Sequence, residues 1–356
     1  MTDKLRLDDF DYPLDEQKIA QHPPDRRDGA KMLVVDKKSG ALQHASFTDF
    51  PAALRENDLV ILNDTRVLPA RLIGHRPGKE ERVELLLLHR TDGKNQWECL
   101  GKPGKKLREG SVVKFGDALE AVVERITEEG NRIVSFRYEG IWEEVLEALG
   151  EMPLPPYIHE SLADRTRYQT VYAARDGSAA APTAGLHFTD ETFSAIRARG
   201  VRIEPLTLHV GLGTFRPVKT DNLDEHPMHS EWYHLPQSTV EAIRETRARG
   251  GRVVAIGTTS LRVLETVGAE IFAGPPKART GWTDLFIRPG FQFQVVDVLL
   301  TNFHLPKSTL LMLVSAFSSR EIILNAYREA DARDYRFFSF GDCMLLEENP
   351  DEIHTA

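Results

Sequence analysis

At 356 residues the chain is longer than one ordinary core, so two domains, or one domain carrying an insertion, are expected. An apolar content of 41% and an aromatic content of 8% exclude a disordered protein, no run of about 18 apolar residues offers a membrane span, and the acidic opening MTDKLRLDDFDYPL lacks the make-up of a signal peptide. A net charge of −9 argues against a whole-surface polyanion binder while leaving room for a local basic patch, and two distant cysteines, Cys99 and Cys343, suggest no disulfide framework, which together point to a cytoplasmic protein.

In chain order, short strands dominate between Val67 and Tyr138: VLPARLIGH, RVELLLLH, QWECL, SVVKF, LEAVVERI and RIVSFRY, separated by glycine and charged turns. Six such strands without an intervening helix predict a small antiparallel barrel. Within this stretch GKPGKKLREG (101–110) gathers Lys102, Lys105, Lys106 and Arg108, read either as a solvated loop or as a loop that meets a polyanion. The helix IWEEVLEALG (141–150) follows, with Gly150 as its cap, and PLPPYI (153–158) is a stiff linker.

Beyond the linker, helices and strands alternate. Thr189 can cap a helix with Asp190 and Glu191 in its first turn. VRIEPLTL is a strand, a helix runs from near Ser238 to Gly250–Gly251, and RVVAIG (252–257) is a strand feeding the helix TTSLRVLE. FQVVDVLL (293–300) is expected to be a strand, STLLMLVSAF (308–317) and REIILNAYREA helices, and YRFFSFG a last strand. The fold expected is α/β: a mixed-sheet main domain, residues 1–62 and 155–356, with a small antiparallel barrel and linker inserted at 63–154.

The familiar chemical signatures fail. HVGLGTFR carries Gly211-x-Gly213 but Arg216 at the third glycine position, HLPKST lacks the glycines of a phosphate loop, and no G-x-S-x-G elbow exists. His226, His229 and Glu231 in EHPMHSEW have no standard metal spacing, so no metal is expected. What remains are three polar junctions that open helices: IGTTSLR, TNFHLPKST and SAAAPTAGLHFT. In open α/β sheets ligands collect at the carboxyl ends of strands. Thr258, Thr259 and Ser260 beside free helix amides make an anion seat or simply a cap. His187, His209, His229 and His304, each in a separate segment rich in small polar residues, suggest a composite site able to move protons. The small side chains of 178–186 then form a pocket wall. On the residues alone the chain is an α/β enzyme with an unassigned ligand.

The same segments carry a resemblance. NDTRVLPARLIG, RYQTVYA, APTAGLHFT, HVGLGTFRPV, HPMHSEWY, GTTSLRVLE, TDLFIRPGFQF and TNFHLPKSTLLMLVSAF occur in an order that resembles the bacterial S-adenosylmethionine:tRNA ribosyltransferase-isomerase family of queuosine biosynthesis, over essentially the whole chain. The resemblance implies an α/β domain with an inserted barrel. It also implies transfer and isomerisation of the ribosyl part of S-adenosylmethionine onto 7-aminomethyl-7-deazaguanine at the wobble position of tRNA, giving epoxyqueuosine, adenine and methionine. The sulfonium acidifies the 5′ carbon, a base removes its proton, ring opening expels adenine, the tRNA amine attacks, and epoxide closure expels methionine. No cofactor is implied, S-adenosylmethionine being a consumed co-substrate.

Under that resemblance His187 and His304 are the first candidates for proton transfer, with His209 and His229 behind them and Glu231 either orienting a histidine or binding the ligand's ammonium. Thr258, Thr259, Ser260, Arg262, Thr183 and Asn302 are expected at S-adenosylmethionine, and Asp64 and Arg66 at ribose or the deazaguanine edge. Lys102, Lys105, Lys106, Arg108, Arg165 and Arg167 are expected at the anticodon arm of a tRNA carrying the modified base. A monomer without membrane contact is expected. The chain departs from the family pattern at Arg288, at Ser318-Ser319 and at Cys343. The rival readings are a non-catalytic RNA-binding protein, a methyltransferase and a nucleoside hydrolase.

Overall fold

A computed structural model describes residues 5–348 apart from 92, 94, 161, 212–219, 221, 222, 224 and 225. It divides into two compact units: residues up to Thr65 with Pro155–Arg175 and the chain from Pro182 onward, and Arg66–Leu154 with Asp176–Ala181. The second unit therefore also takes a short return segment that composition did not mark.

In the first unit nine strands form one mixed sheet, in the order Arg279–Thr283, Glu231–Leu235, Arg202–Leu208, Leu59–Asn63, Val253–Ile256, Val298–Asn302, Cys343–Glu347, Lys31–Asp36, Leu42–Ser46. The four from Arg202–Leu208 to Val298–Asn302 are mutually parallel, and Cys343–Glu347 runs against them. Central strands such as Val253–Ile256 and Leu59–Asn63 are buried on both faces, which is why they read as unbroken apolar runs rather than alternations. Alternate residues divide between two cores: Leu59, Ile61, Val253 and Ala255 join one cluster, Val60, Leu62, Val254 and Ile256 the other. Each fully buried aliphatic side chain contributes about 1.5–3 kcal/mol. Among the described residues no single helix is long and apolar enough to cross a membrane.

Two expected strands are displaced. FQVVDVLL pairs only from Val298, because the buried Glu265 carboxylate accepts the backbone N–H groups of Gln294, Val295 and Val296 at 2.8, 3.0 and 2.9 Å and holds them out of the sheet. The last strand is Cys343–Glu347 rather than YRFFSFG; Tyr335, Phe337 and Phe338 instead fill the core from irregular backbone, with Phe338 at φ +68°. Thr189 does cap its helix, accepting from the Thr192 N–H.

The second unit is a closed six-stranded antiparallel barrel of Arg71–His75, Arg82–Arg90, Gln96–Lys102, Arg132–Tyr138, Leu119–Ile126 and Val112–Phe115, sealed where His75 pairs with Lys114. The helix Trp142–Leu149 packs Trp142 and Leu146 into the barrel core. Gly150 does end that helix, in extended conformation, and immediately pairs with Leu72.

Candidate active site

The two ends of the parallel strands differ in how completely their polar groups are satisfied. At the amino end Arg252 bridges Asp58 at 2.7 Å and Glu347 at 2.5 Å, all three largely buried. At the carboxyl end, buried polar atoms are left without a hydrogen-bond partner among the described residues: Thr259 Oγ1, Asn302 Oδ1, His187 Nε2, Tyr172 Oη, Thr170 Oγ1 and Arg262 Nε. Buried polar groups are normally paired, so a cluster of orphans at this end marks a place built for something else.

Two of these groups, Tyr172 and Thr170, meet the turn Thr183–His187, and His187 is its last residue. Its Gly185 is forced by contact: a Cβ there would lie 1.9 Å from Tyr172 Oη and 2.9 Å from Thr170 Cγ2. At the neighbouring strand end, Gly257 has φ +83°, a left-handed conformation that glycine adopts at little cost, and this turns the strand Val253–Ile256 directly into the helix Gly257–Val267. A Cβ on Gly257 would sit 3.6 Å from that of Ala184. The small residues noted in the sequence are thus where strand end, helix start and turn approach one another. Thr258 and Thr259 open the helix, where amide groups and the dipole favour an anion. Ser260 does not join them as a ligand donor, because its hydroxyl donates to the Ile256 carbonyl at 2.7 Å.

The four histidines fall into different settings. His187 is 2% exposed, and burial pushes it down to about 4, only partly offset by Asn302 and the Arg27 backbone; Asn302 approaches it without hydrogen-bond geometry, and its Nδ2 donates instead to the Phe338 carbonyl. Beside His187, with Arg27, Arg167 and Ser339, lies a cavity of about 10 Å³, room for one water molecule. His304 is pushed down to about 3 by burial; its Nε2 lies 3.0 Å from Thr301 Oγ1, and its backbone is held by Tyr327 and Tyr12. His209, pushed down to about 4 by burial and then by Arg175, shares a 2.8 Å hydrogen bond with Thr65 Oγ1.

His229 differs from the other three. Its Nε2 lies 3.2 Å from Glu231 Oε1. Glu231 in turn accepts from Arg262 Nη1 at 2.6 Å and from the Gly211 N–H at 2.8 Å. Burial alone would raise the Glu231 carboxyl, but Arg262, His229 and the Gly211 amide outweigh it and hold the group below the ordinary carboxylate range. An ionised Glu231 accepts from Nε2 of His229 and so orients the imidazole. Arg262, expected at the methionine carboxylate, is instead committed to Glu231. Helix and strand are locked together behind the pair by Thr266 and Thr283, whose hydroxyls lie 2.6 Å apart.

Asp64, just past the strand Leu59–Asn63, accepts from Thr207 Oγ1 at 2.5 Å and faces Arg175 at 3.9 Å; burial raises its carboxyl against both influences. Arg66 belongs to the second unit and lies 3.6 Å from Asp176. Arg167 spends its guanidinium on the carbonyls of Pro24 and Asp25, so it holds the turn Arg165–Tyr168 rather than presenting a free cation. In the barrel loop, Lys102, Lys105 and Arg108 are exposed, whereas Lys106 pairs with Glu81; the loop is shaped by Arg132, which donates to the carbonyls of Gly104 and Leu107. Residues 213 and 216 lie outside the described residues, and among the described residues no group of three His, Cys, Asp or Glu side chains is arranged to hold a metal ion. Sequence reasoning missed Tyr172 and Thr170, whose only signal was their place in RYQTVYA.

Buried His187 and His304 and half-buried His209 make stability pH-dependent. Their folded values lie at about 4, 4 and 3, whereas the unfolded chain takes up protons near 6.5. Stability present above about pH 6.5 is therefore lost as pH falls, each histidine adding a slope of up to about 1.4 kcal/mol per pH unit between pH 6 and 5. Urea unfolding at pH 7, 6 and 5 checks this: midpoints should fall with pH, and less steeply in His187→Asn. A flat profile contradicts the burial described.

A family model described as queuosine biosynthesis protein matches residues 7–346. A curated protein of Finegoldia magna named S-adenosylmethionine:tRNA ribosyltransferase-isomerase is 54% identical over 342 residues, covering 96% of this chain and 98% of that protein. A crystal structure of S-adenosylmethionine tRNA ribosyltransferase from Thermotoga maritima is 36% identical and superposes with a TM-score of 0.55, covering 95% of this chain and 99% of that one. With a family match over nearly its full length and a relative this similar, the chain belongs to the queuosine biosynthesis protein family.

Proposed function

We propose that the protein is an S-adenosylmethionine:tRNA ribosyltransferase-isomerase that moves the ribosyl group of S-adenosylmethionine onto 7-aminomethyl-7-deazaguanine at the tRNA wobble position. The observation that carries the reading is the cluster of orphaned buried polar atoms at the carboxyl end of the parallel strands. The chain is read as acting in the cytoplasm, as a monomer and without a resident cofactor, because the sulfonium of the co-substrate supplies the activation.

In this reading the amides and hydroxyls of Thr258 and Thr259 hold the methionine carboxylate. Thr183 and Asn302 contact the nucleoside, and Asp64 binds ribose hydroxyls or the deazaguanine edge. His229, oriented by Glu231, takes the proton from the 5′ carbon. Adenine leaves as the ribose ring opens and must gain a proton; His187, whose Nε2 has no partner among the described residues, relays one to it, giving up a ring proton as its other nitrogen takes one from water in the adjoining cavity. The amine of the modified base then bonds to the sugar, and closure of the epoxide breaks the carbon–sulfur bond and frees methionine. His304 holds the Asn302 turn through Thr301, and Lys102, Lys105 and Arg108 contact tRNA phosphates.

Following the ribose carbons tests the reading. With S-adenosylmethionine labelled in the ribose, the label should appear in the wobble nucleoside of the tRNA. Methyl transfer to RNA, with the ribose label retained in S-adenosylhomocysteine, would instead make the protein a methyltransferase.

A further inference from the structure

The edge of the first unit's sheet carries aromatic side chains that the site above does not use. Strand Glu231–Leu235 pairs with Arg279–Thr283 so that Trp232 lies opposite Trp282 and His234 opposite Thr280. Side chains alternate along a strand. Glu231, Tyr233 and Leu235 therefore face the core, and Trp232, His234, Trp282 and Thr280 share the other face. His209 joins them from the next strand, stacked on Trp232 with ring centres 4.9 Å apart and planes 20° apart. Trp232 and His234 are 6.3 Å apart and within 8° of parallel. Trp282 is 57% exposed, and among the described residues Trp232 and His234 stand outside the three apolar clusters.

A half-exposed cation is tied to the same strand. The Arg175 guanidinium lies 3.9 Å from Asp64, which accepts from the hydroxyl of Thr207, the residue opposite His234. Parallel aromatic planes next to an arginine are the means by which unpaired nucleotides are held, through stacking of the base and attraction of the phosphate. Through the Thr65–His209 hydrogen bond this face is continuous with the carboxyl end of the strands.

We infer that Trp232 and Trp282 form a stacking platform for an unpaired RNA nucleotide adjacent to the one being modified, with Arg175 facing its phosphate. The inference rests on the proposed tRNA reading and adds where a neighbouring base sits. The parallel planes of His209, Trp232 and His234, with the exposed Trp282 opposite Trp232 on the paired strand and an arginine nearby, favour a nucleobase over the aliphatic side chains of a protein partner or of a second copy.

The test uses the full chain with a tRNA anticodon stem–loop, its dissociation constant read by fluorescence anisotropy. Trp282→Ala should raise that constant about 5- to 150-fold, while Trp282→Phe keeps it near wild type and the affinity for S-adenosylmethionine stays unchanged in both. Unchanged RNA affinity in Trp282→Ala and in the Trp232→Ala/Trp282→Ala double variant overturns the platform while leaving the enzyme reading intact. A wild-type dimer that Trp282→Ala dissociates in sedimentation assigns the face to a second copy, and also overturns it. A wild type that binds no stem–loop removes the tRNA reading itself and the platform with it.

Discussion

Glu231→Gln is expected to destabilise the protein by about 3–5 kcal/mol, because it leaves the Arg262 guanidinium buried without a counter-charge. The pair is closed from solvent, with side-chain exposures of 1% and 4%, so water cannot take over the lost carboxylate. Substitution by the isosteric amide keeps the volume and isolates the charge. The loss should be recovered largely in Glu231→Leu/Arg262→Met, where both charges are gone, since replacing a buried pair with packed apolar groups is often near neutral. Urea unfolding followed by circular dichroism measures both variants. A Glu231→Gln protein within about 1 kcal/mol of wild type would mean the pair is not sealed as described.

His229→Ala addresses the chemistry rather than the fold. The imidazole is partly exposed, so its removal should change stability by no more than about 0.5 kcal/mol. As the proposed base it should lower kcat by about 10²- to 10⁴-fold while S-adenosylmethionine still binds. The readout that separates a base from a merely structural residue is exchange of the 5′ hydrogens of S-adenosylmethionine with solvent, which should cease in the variant. Wild-type kcat in His229→Ala would return the role to another group, His187 first.

Much of the barrel was legible in the sequence because short strands such as RVELLLLH are set off by glycine and charged turns. The helices of the main domain were legible through the cap at Thr189 and through stops such as Gly250–Gly251. The displaced strands were not. Gln294–Val296 look like a strand by composition, and only a carboxylate 29 to 31 residues away keeps them out of the sheet. Likewise Arg262 read as a free cation because its partner Glu231 comes from a strand 31 residues earlier, and Ser260 read as a ligand donor because a back-bond within its own helix leaves no mark in the sequence. Order of parallel strands is set by crossovers that periodicity does not record, yet the junctions singled out in the sequence fall at one edge: His209, Asp64, Thr258 and His304 all follow the carboxyl ends of the four parallel strands.

Catalysis at that edge is measured most directly by adenine release from S-adenosylmethionine, with and without a tRNA carrying 7-aminomethyl-7-deazaguanine. Release is expected only with that tRNA, accompanied by equimolar methionine and by gain of the ribosyl carbons on the RNA. Release without tRNA would make the protein a nucleoside hydrolase. Binding of both substrates with no release would contradict catalysis altogether and leave an RNA-binding protein whose histidines are structural.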